Sequence, residues 1–409
     1  MLRWFVRQVK NFVLLPLLGA LLAGMLIGRI ADYFLGPKNY YVYVVGDKKA
    51  KSIHDMLQTA AGGDFKSALG DITVKTEVRD DSGDPEQAAI IARDLAGRPD
   101  VLMVIGHVYS TVTKRALPIY LGANPPIPVL LSTETNPALL PPPAADDDRV
   151  PPVFRLFPTD DNQAETAARF IASQGGSKVW VVEDTSNPTY SQYLARKFMK
   201  VVYSDNRDEL SSSDMKVILW SNNLNLPPYD VDKLGIDWIF FAGEWRNALV
   251  LIRQLNAMPG IKKPHVLLSD SSANKLLLSY GGSDVEGVHL LHPRSADEFN
   301  KDEYAAVGRE AYNLTSELLD NVHQQFDDLA KESSPWGYRT REWLGLHRVS
   351  DARRALARFM EKAVNNQNAF NLSSGSTITM GKDENHQVIR KDAQFHIWRV
   401  QNGSFVTEQ

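Results

Sequence analysis

Cysteine does not occur anywhere in the 409 residues of this chain. Its absence excludes disulfides, thiolate metal sites, a cysteine nucleophile and a lipidated N-terminal cysteine, and it leaves the compartment open. An excess of positive charge is also missing: 45 Lys and Arg stand against 49 Asp and Glu, a net charge of −4. Nothing in that balance calls for nucleic acid. No G-x-S-x-G elbow, no G-x-x-x-x-G-K-[ST] phosphate loop and no H-E-x-x-H helix is present, so no enzyme is expected. His107, His289 and His292 fall near predicted strand ends, but without cysteine or ligand spacing they specify no metal. No cofactor is expected either. Glu183 and Asp184, at another strand end, suit turn capping better than catalysis. Heptads and tandem repeats are lacking, which excludes coiled coils and solenoids.

What is present is an alternation of apolar strands and amphipathic helices, clearest from Val101 to Pro137. Val101 to Ile105 is a continuous apolar run of strand length ending in Gly106. Ser110, Thr111 and Thr113 then open a segment in which Val112, Ala116, Leu117 and Tyr120 recur at helical spacing. A second apolar run, Ile127 to Leu131, ends in Ser132, Thr133, Glu134 and Thr135. A strand, helix, strand unit of this kind forms parallel sheet with a right-handed crossover. Both polar clusters therefore lie at carboxyl ends of strands, where open parallel sheets bind ligands. A hydroxyl at a helix start, beside unpaired N–H groups and the positive end of the dipole, suits a carboxylate. Ser110 and Thr135 are the candidates, although Ser110 also fits a plain helix cap.

At the N-terminus, Asn11 to Gly28 carries no charge. At ~1.5 Å per residue it just spans a hydrocarbon layer of ~30 Å. Arg3, Arg7 and Lys10 precede it, and Trp4, Tyr33 and Phe34 flank it. The basic residues place residues 1–10 in the cytoplasm, residues 11–30 across the cell membrane as a single-pass anchor, and the rest outside. A cleaved signal peptide is the competing reading.

Further along, strands are expected at Tyr40 to Val45, Ile72 to Val78, Val153 to Phe157, Val179 to Val182, Lys216 to Trp220, Asp237 to Ala242, His265 to Leu268 and Gly287 to Leu291. Helices are expected at Ser52 to Ala61, Asp84 and Pro85 to Ala96, Asp161 to Ser173, Tyr190 to Val202, Trp245 to Met258 and Asn274 to Tyr280. A long helix is expected from Lys301 to Leu329, another after Ser350, and strands at Ser376 to Met380 and Phe395 to Val400. Pro-rich Pro137 to Pro152 is a surface connection; its acidic triplet Asp146 to Asp148 lacks calcium-ligand spacing. The fold class is α/β with parallel sheets.

Five ordered stretches carry a resemblance: RDDSGDPEQAAIIARDL, VIGHVYSTVTKRALPIY, IPVLLSTETNPAL, FRLFPTDDNQAETAARFI, and VEGVHLLHPR with AYNLTSELL downstream. Together they resemble the type I periplasmic binding proteins, in particular the branched-chain amino acid binding branch, from about Tyr40 to the C-terminus. The resemblance implies two Rossmann-like lobes joined by three crossing strands, with a cleft that closes on a small ligand. The first lobe would take residues 38–157 with a return over 292–385, and the second 158–291 with 386–409. It also implies roles: Ser110 binds the ligand carboxylate, Thr135 holds the amino acid head group through its hydroxyl and backbone, Thr133 offers a backbone carbonyl to the ammonium, Tyr190 closes over the ligand, Trp245 forms an aromatic lid, and Asp270 pairs with the ammonium. The implied ligand is amino acid-like, and the implied partner is an ABC permease or a sensor. A regulatory envelope protein with a degenerate cleft is the alternative. Two departures stand out. GDKKAKS replaces the usual small-residue loop and brings Lys48, Lys49 and Lys51 to the cleft mouth. Glu134 stands where a small residue is usual, and pointing inward it would crowd an aliphatic guest.

Overall fold

The computed structural model describes residues 39–65, 73–140, 151–205, 216–220, 234–260, 262–320, 349–365, 369–372, 377–382 and 388–408, with helical positions between 17 and 27. The first sheet takes strands β1 (Asn39–Gly46), β2 (Thr73–Asp80), β3 (Val101–Ile105), β4 (Val129–Leu131), β5 (Val153–Arg155), β11 (Ala369–Asn371), β12 (Thr377–Lys382) and β13 (Val388–Arg390). The second takes β6 (Val179–Asp184), β7 (Lys216–Trp220), β8 (Trp238–Ala242), β9 (His265–Leu268), β10 (His289–His292), β14 (His396–Gln401) and β15 (Ser404–Thr407). Their orders are β11-β12-β13-β5-β4-β3-β1-β2 and β15-β14-β10-β9-β8-β6-β7. Neighbours from β13 to β2 and from β10 to β7 are parallel; the remaining edges are antiparallel.

Ten helices cover the sheets among the described residues: α1 (Lys51–Ala60), α2 (Pro85–Gly97), α3 (Ser110–Leu121), α4 (Asp160–Ser173), α5 (Pro188–Asp205), α6 (Trp245–Ala257), α7 (Lys275–Gly281), α8 (Ala296–Asp302), α9 (Ala305–Asp320) and α10 (Val349–Asn365). Side chains of a strand alternate between its faces, and both faces here are apolar. In β1, Tyr40, Val42 and Val44 pack toward α1, α9 and α10, while Tyr43 and Val45 pack toward α2 and α3. In β8, Ile239 and Phe241 join the core under α6, and Trp238, Phe240 and Ala242 the core under α4 and α5. Such burial contributes ~1.5–3 kcal/mol per large side chain, so each sheet anchors its own lobe.

The chain passes between the sheets three times: after β5 into α4, from α8 into α9, and from β13 into β14. The expected long helix from Lys301 is not continuous. Ser295 caps α8, whose start lies earlier than expected, and Glu303 takes a positive φ of 49° at its end, donating its N–H to the Phe299 carbonyl at 2.7 Å. A new helix follows Tyr304, because Phe299 packs in the second core while Val307 and Ala311 pack in the first. One helix axis cannot serve both lobes. Residues 321–329 of that expectation lie outside the described residues. Strands β11, β13 and β15 were not anticipated.

Among the described residues no helix is long and apolar enough to cross a membrane. The expected span 11–30 falls largely outside them; Leu17, Leu21, Met25, Leu26 and Ile27 are helical and exposed.

Candidate functional site

In the order 5-4-3-1-2, neighbouring strands β3 and β1 send their following segments to opposite sides of the sheet, opening a crevice beyond their carboxyl ends. The second sheet repeats the pattern with β8 and β6. The two crevices face each other across one cleft of about 790 Å³. Its walls come from the segments after β1 (Lys49 to Asp55), β3 (Val108, Tyr109, Ser110), β4 (Thr133, Thr135), β5 (Phe157), β6 (Asn187, Tyr190), β8 (Glu244, Trp245, Arg246) and β9 (Asp270 to Leu276), closed by Lys301 to Ala305. Ser110, Thr133, Thr135, Tyr190, Trp245 and Asp270 all line it, three from each lobe.

On the first-lobe side, Tyr109 is the N-cap of α3 and makes no side-chain cap bond, so Ser110 stands in the first turn with its hydroxyl unspent on capping. The N–H groups of that first turn have no helical partners. Thr133 is tied back, its hydroxyl donating to the Val108 carbonyl at 2.9 Å. Glu134 does not enter the cleft. Its carboxyl accepts from the Thr113 hydroxyl at 2.9 Å and the Thr133 N–H at 3.0 Å, and the buried Arg155 guanidinium donates to its backbone carbonyl. Complete burial raises the Glu134 carboxyl to about 7. The crowding anticipated from this residue therefore does not arise.

From the second lobe comes a connected acidic group. The Tyr190 hydroxyl lies 2.5 Å from Asp270 Oδ1 and 3.2 Å from Gln163 Oε1, and Gln163 Nε2 donates to the same Asp270 oxygen at 2.8 Å. Burial pushes the Asp270 carboxyl up, with these two hydrogen bonds opposing. Behind it, Asp160 is fully buried and held well above its ordinary range by desolvation and by the charge of Asp270, while the Thr135 hydroxyl eases it. Two carboxyls in one dry wall resist double ionisation, and an ammonium beside them reverses that resistance. Asp270 does not serve as a helix cap; Asn274 caps α7, accepting from the Leu276 N–H at 2.8 Å. Trp245 stacks on Tyr280 with centroids 5.9 Å apart.

Lys49 and Lys51 are exposed at the mouth, Lys51 pairing with Asp55 at 2.8 Å, while Lys48 turns away to the Val78 carbonyl at 3.3 Å. The lobes also touch directly. The Thr111 hydroxyl donates to Asn187 Oδ1 at 2.6 Å, and Asn136 Nδ2 donates to the Thr189 carbonyl at 2.5 Å. Sequence reasoning missed Tyr109, Gln163, Glu244 and Tyr304. Glu244 carried the one available signal, since it follows the β8 strand end as Ser110 follows β3. Among the described residues no group of three or more His, Asp or Glu is placed to hold a metal.

These features match known proteins. A solved leucine binding protein from Thermotoga maritima superposes with a TM-score of 0.67 at 20% identity, covering 90% of this chain and 98% of that one. A solute binding protein of an ABC transporter from Rhodopseudomonas palustris, solved with p-hydroxybenzoic acid, gives 0.63 at 13% identity, covering 91% and 96%. At such identities the likeness concerns the fold. An amino acid binding protein of Pseudomonas aeruginosa is 26% identical over 203 residues, 48% of this chain and 48% of the relative. The chain thus spans about half the length of that curated relative in the matched region. The sequence model described as periplasmic binding protein matches residues 58–317, well over half of the chain. The chain belongs to the periplasmic binding protein family.

Proposed function

We propose that this protein binds an amino acid-like small molecule in the interlobe cleft, for ABC-type uptake or sensing outside the cytoplasm. The observation that carries this reading is the convergence of Ser110 and Thr135 from one lobe with Tyr190 and Asp270 from the other on a single cleft. A zwitterion needs a donor-rich pole and an acidic pole a few ångströms apart. Ser110 at the opening of α3, with Thr135 beside it on the cleft, furnishes the first, where a carboxylate meets free N–H groups and the dipole. Asp270, oriented by Tyr190 and Gln163, furnishes the second. Trp245 shields the guest from water. Closure of the lobes over the guest would be read by a membrane partner, an ABC permease or a sensor. Retention at the cell membrane through residues 11–30 belongs to the same proposal, supported by their uncharged sequence and preceding basic residues.

A thermal-shift screen of the full chain against amino acids tests the reading. Ligand at ~100 times its dissociation constant adds ~2.7 kcal/mol, a rise of a few degrees. Asp270→Asn is expected to abolish the rise for every zwitterion while the protein stays folded. A rise that survives this substitution contradicts the assigned acidic pole.

A further inference from the structure

We infer, on the basis of the binding function just proposed, that the preferred guest is an amino acid with a cationic side chain, of the arginine or lysine type. An α-ammonium needs one carboxylate, and Asp270 supplies it. The cleft holds a second acid, Glu244, directly after β8. Its backbone is fixed: its N–H donates to Asp184 Oδ2 at 2.9 Å, and Asp184 is in turn held by Asn247 Nδ2 at 2.8 Å. The carboxylate itself makes no hydrogen bond or ion pair among the described residues, although it is half-buried. Burial and the charge of Asp184 push it above its ordinary range, with Arg246 opposing. A half-buried acid without a partner is stabilised when a cation meets it.

The surroundings favour a cation of a particular kind. Tyr109, Trp245 and Tyr304 line the same cleft, and the hydroxyls of both tyrosines feel the Glu244 charge. Tyr304 also feels Asp270, so it borders both acids. Ring faces beside a carboxylate attract alkylammonium and guanidinium groups, which gain from cation–π contact and a charge-assisted hydrogen bond together. Among the described residues none of the protein's own cations forms an ion pair with Glu244: Lys49, Lys51, Arg246 and Lys301 are exposed at the rim, Lys275 is half-buried in the wall, and Arg246 lies over its neighbour Trp245 at 5.0 Å from the ring centroid. With Asp270 spent on the α-ammonium, the unpaired Glu244 favours a guest with a second positive charge over one with a second carboxylate. A volume of about 790 Å³ leaves room for a side chain longer than leucine.

Calorimetric titration of the full chain with arginine, lysine and leucine tests the inference, using the native protein, Glu244→Gln and Asp270→Asn. Arginine or lysine is expected to bind at least tenfold more tightly than leucine. Glu244→Gln should reduce that preference at least tenfold, and Asp270→Asn should weaken whatever binds. Melting curves of the variants separate a binding defect from misfolding. Leucine binding as tightly as both basic amino acids overturns the inference and leaves the binding function standing, as does a Glu244→Gln variant that keeps the native preference. Binding of none of the three overturns the inference, and the binding function falls with it only if the thermal-shift screen against amino acids also shows no rise.

Discussion

Glu134 shows how a single residue departs from what its position suggests. From the sequence it stood between two site threonines and threatened to obstruct the cleft; in the fold its side chain turns back to Thr113 and Thr133. Its carboxyl titrates near 7 because burial penalises the charged form. The folded state then holds a proton that the unfolded chain releases near the ordinary carboxyl value. Stability therefore falls as pH rises from that value to about 7 and stays lower above it, by on the order of 3 kcal/mol. Glu134→Gln should flatten this dependence, measured as the melting temperature between pH 4.5 and 7.5; an unchanged slope would assign it to other groups, Asp160 and Asp270 first. The site residues legible in the sequence were those following strand ends: Ser110, Thr133, Thr135, Tyr190, Trp245 and Asp270 all line the cleft. Gln163 was not legible, because it sits inside α4 and reaches Asp270 across 107 residues of sequence. Tyr304 was hidden within what reads as continuous helix.

Elements with a local cause were the easiest to place. Asp84 and Pro85 open α2 as expected, and the Asp84 carboxylate accepts from the N–H groups of Glu86 and Gln87 at 2.7 and 3.0 Å. Asp84→Ala is expected to lower stability by about 1 kcal/mol in chemical denaturation and to leave ligand affinity as it is, since the cap lies outside the cleft. Elements fixed by distant partners were misread. The apolar period around Lys301 continues through a break that only two separate cores explain, and β11, β13 and β15 are short strands defined by pairing. Gly308 shows the same dependence: α9 lies so close to α1 there that an added methyl would overlap the Thr59 side chain and the Met56 backbone. Gly308→Ala should cost ~1–3 kcal/mol. Because α1 lines the cleft, it should also weaken ligand binding, seen as a higher dissociation constant at a temperature where the variant is fully folded.

Across the whole molecule the architecture was legible because parallel α/β lobes alternate so regularly, whereas the way the lobes meet was not. Among the described residues, polar contacts join them at the cleft rim and at the crossings. At the cleft rim Thr111 meets Asn187, and Asn136 meets the Thr189 carbonyl. At the crossings Glu310 joins Arg294 to Arg390, the latter at 2.6 Å, and Arg390 also meets Asp392 at 2.8 Å. The rim contacts exist only when the lobes are together, so Asn187→Ala should favour separation. The absence of cysteine makes the motion measurable: spin labels at Lys49→Cys and Leu276→Cys, on opposite rims, should report one short distance with ligand and a longer mean distance in the Asn187→Ala background without it. The central claim is that both lobes grip one small guest. Its most direct measurement is calorimetric titration of Ser110→Ala and Asp270→Asn, one variant from each lobe, with the tightest amino acid ligand of the native chain. Each substitution is predicted to weaken binding of that ligand tenfold or more while the melting temperature of the free protein stays within a few degrees; native affinity in either variant would contradict the shared grip.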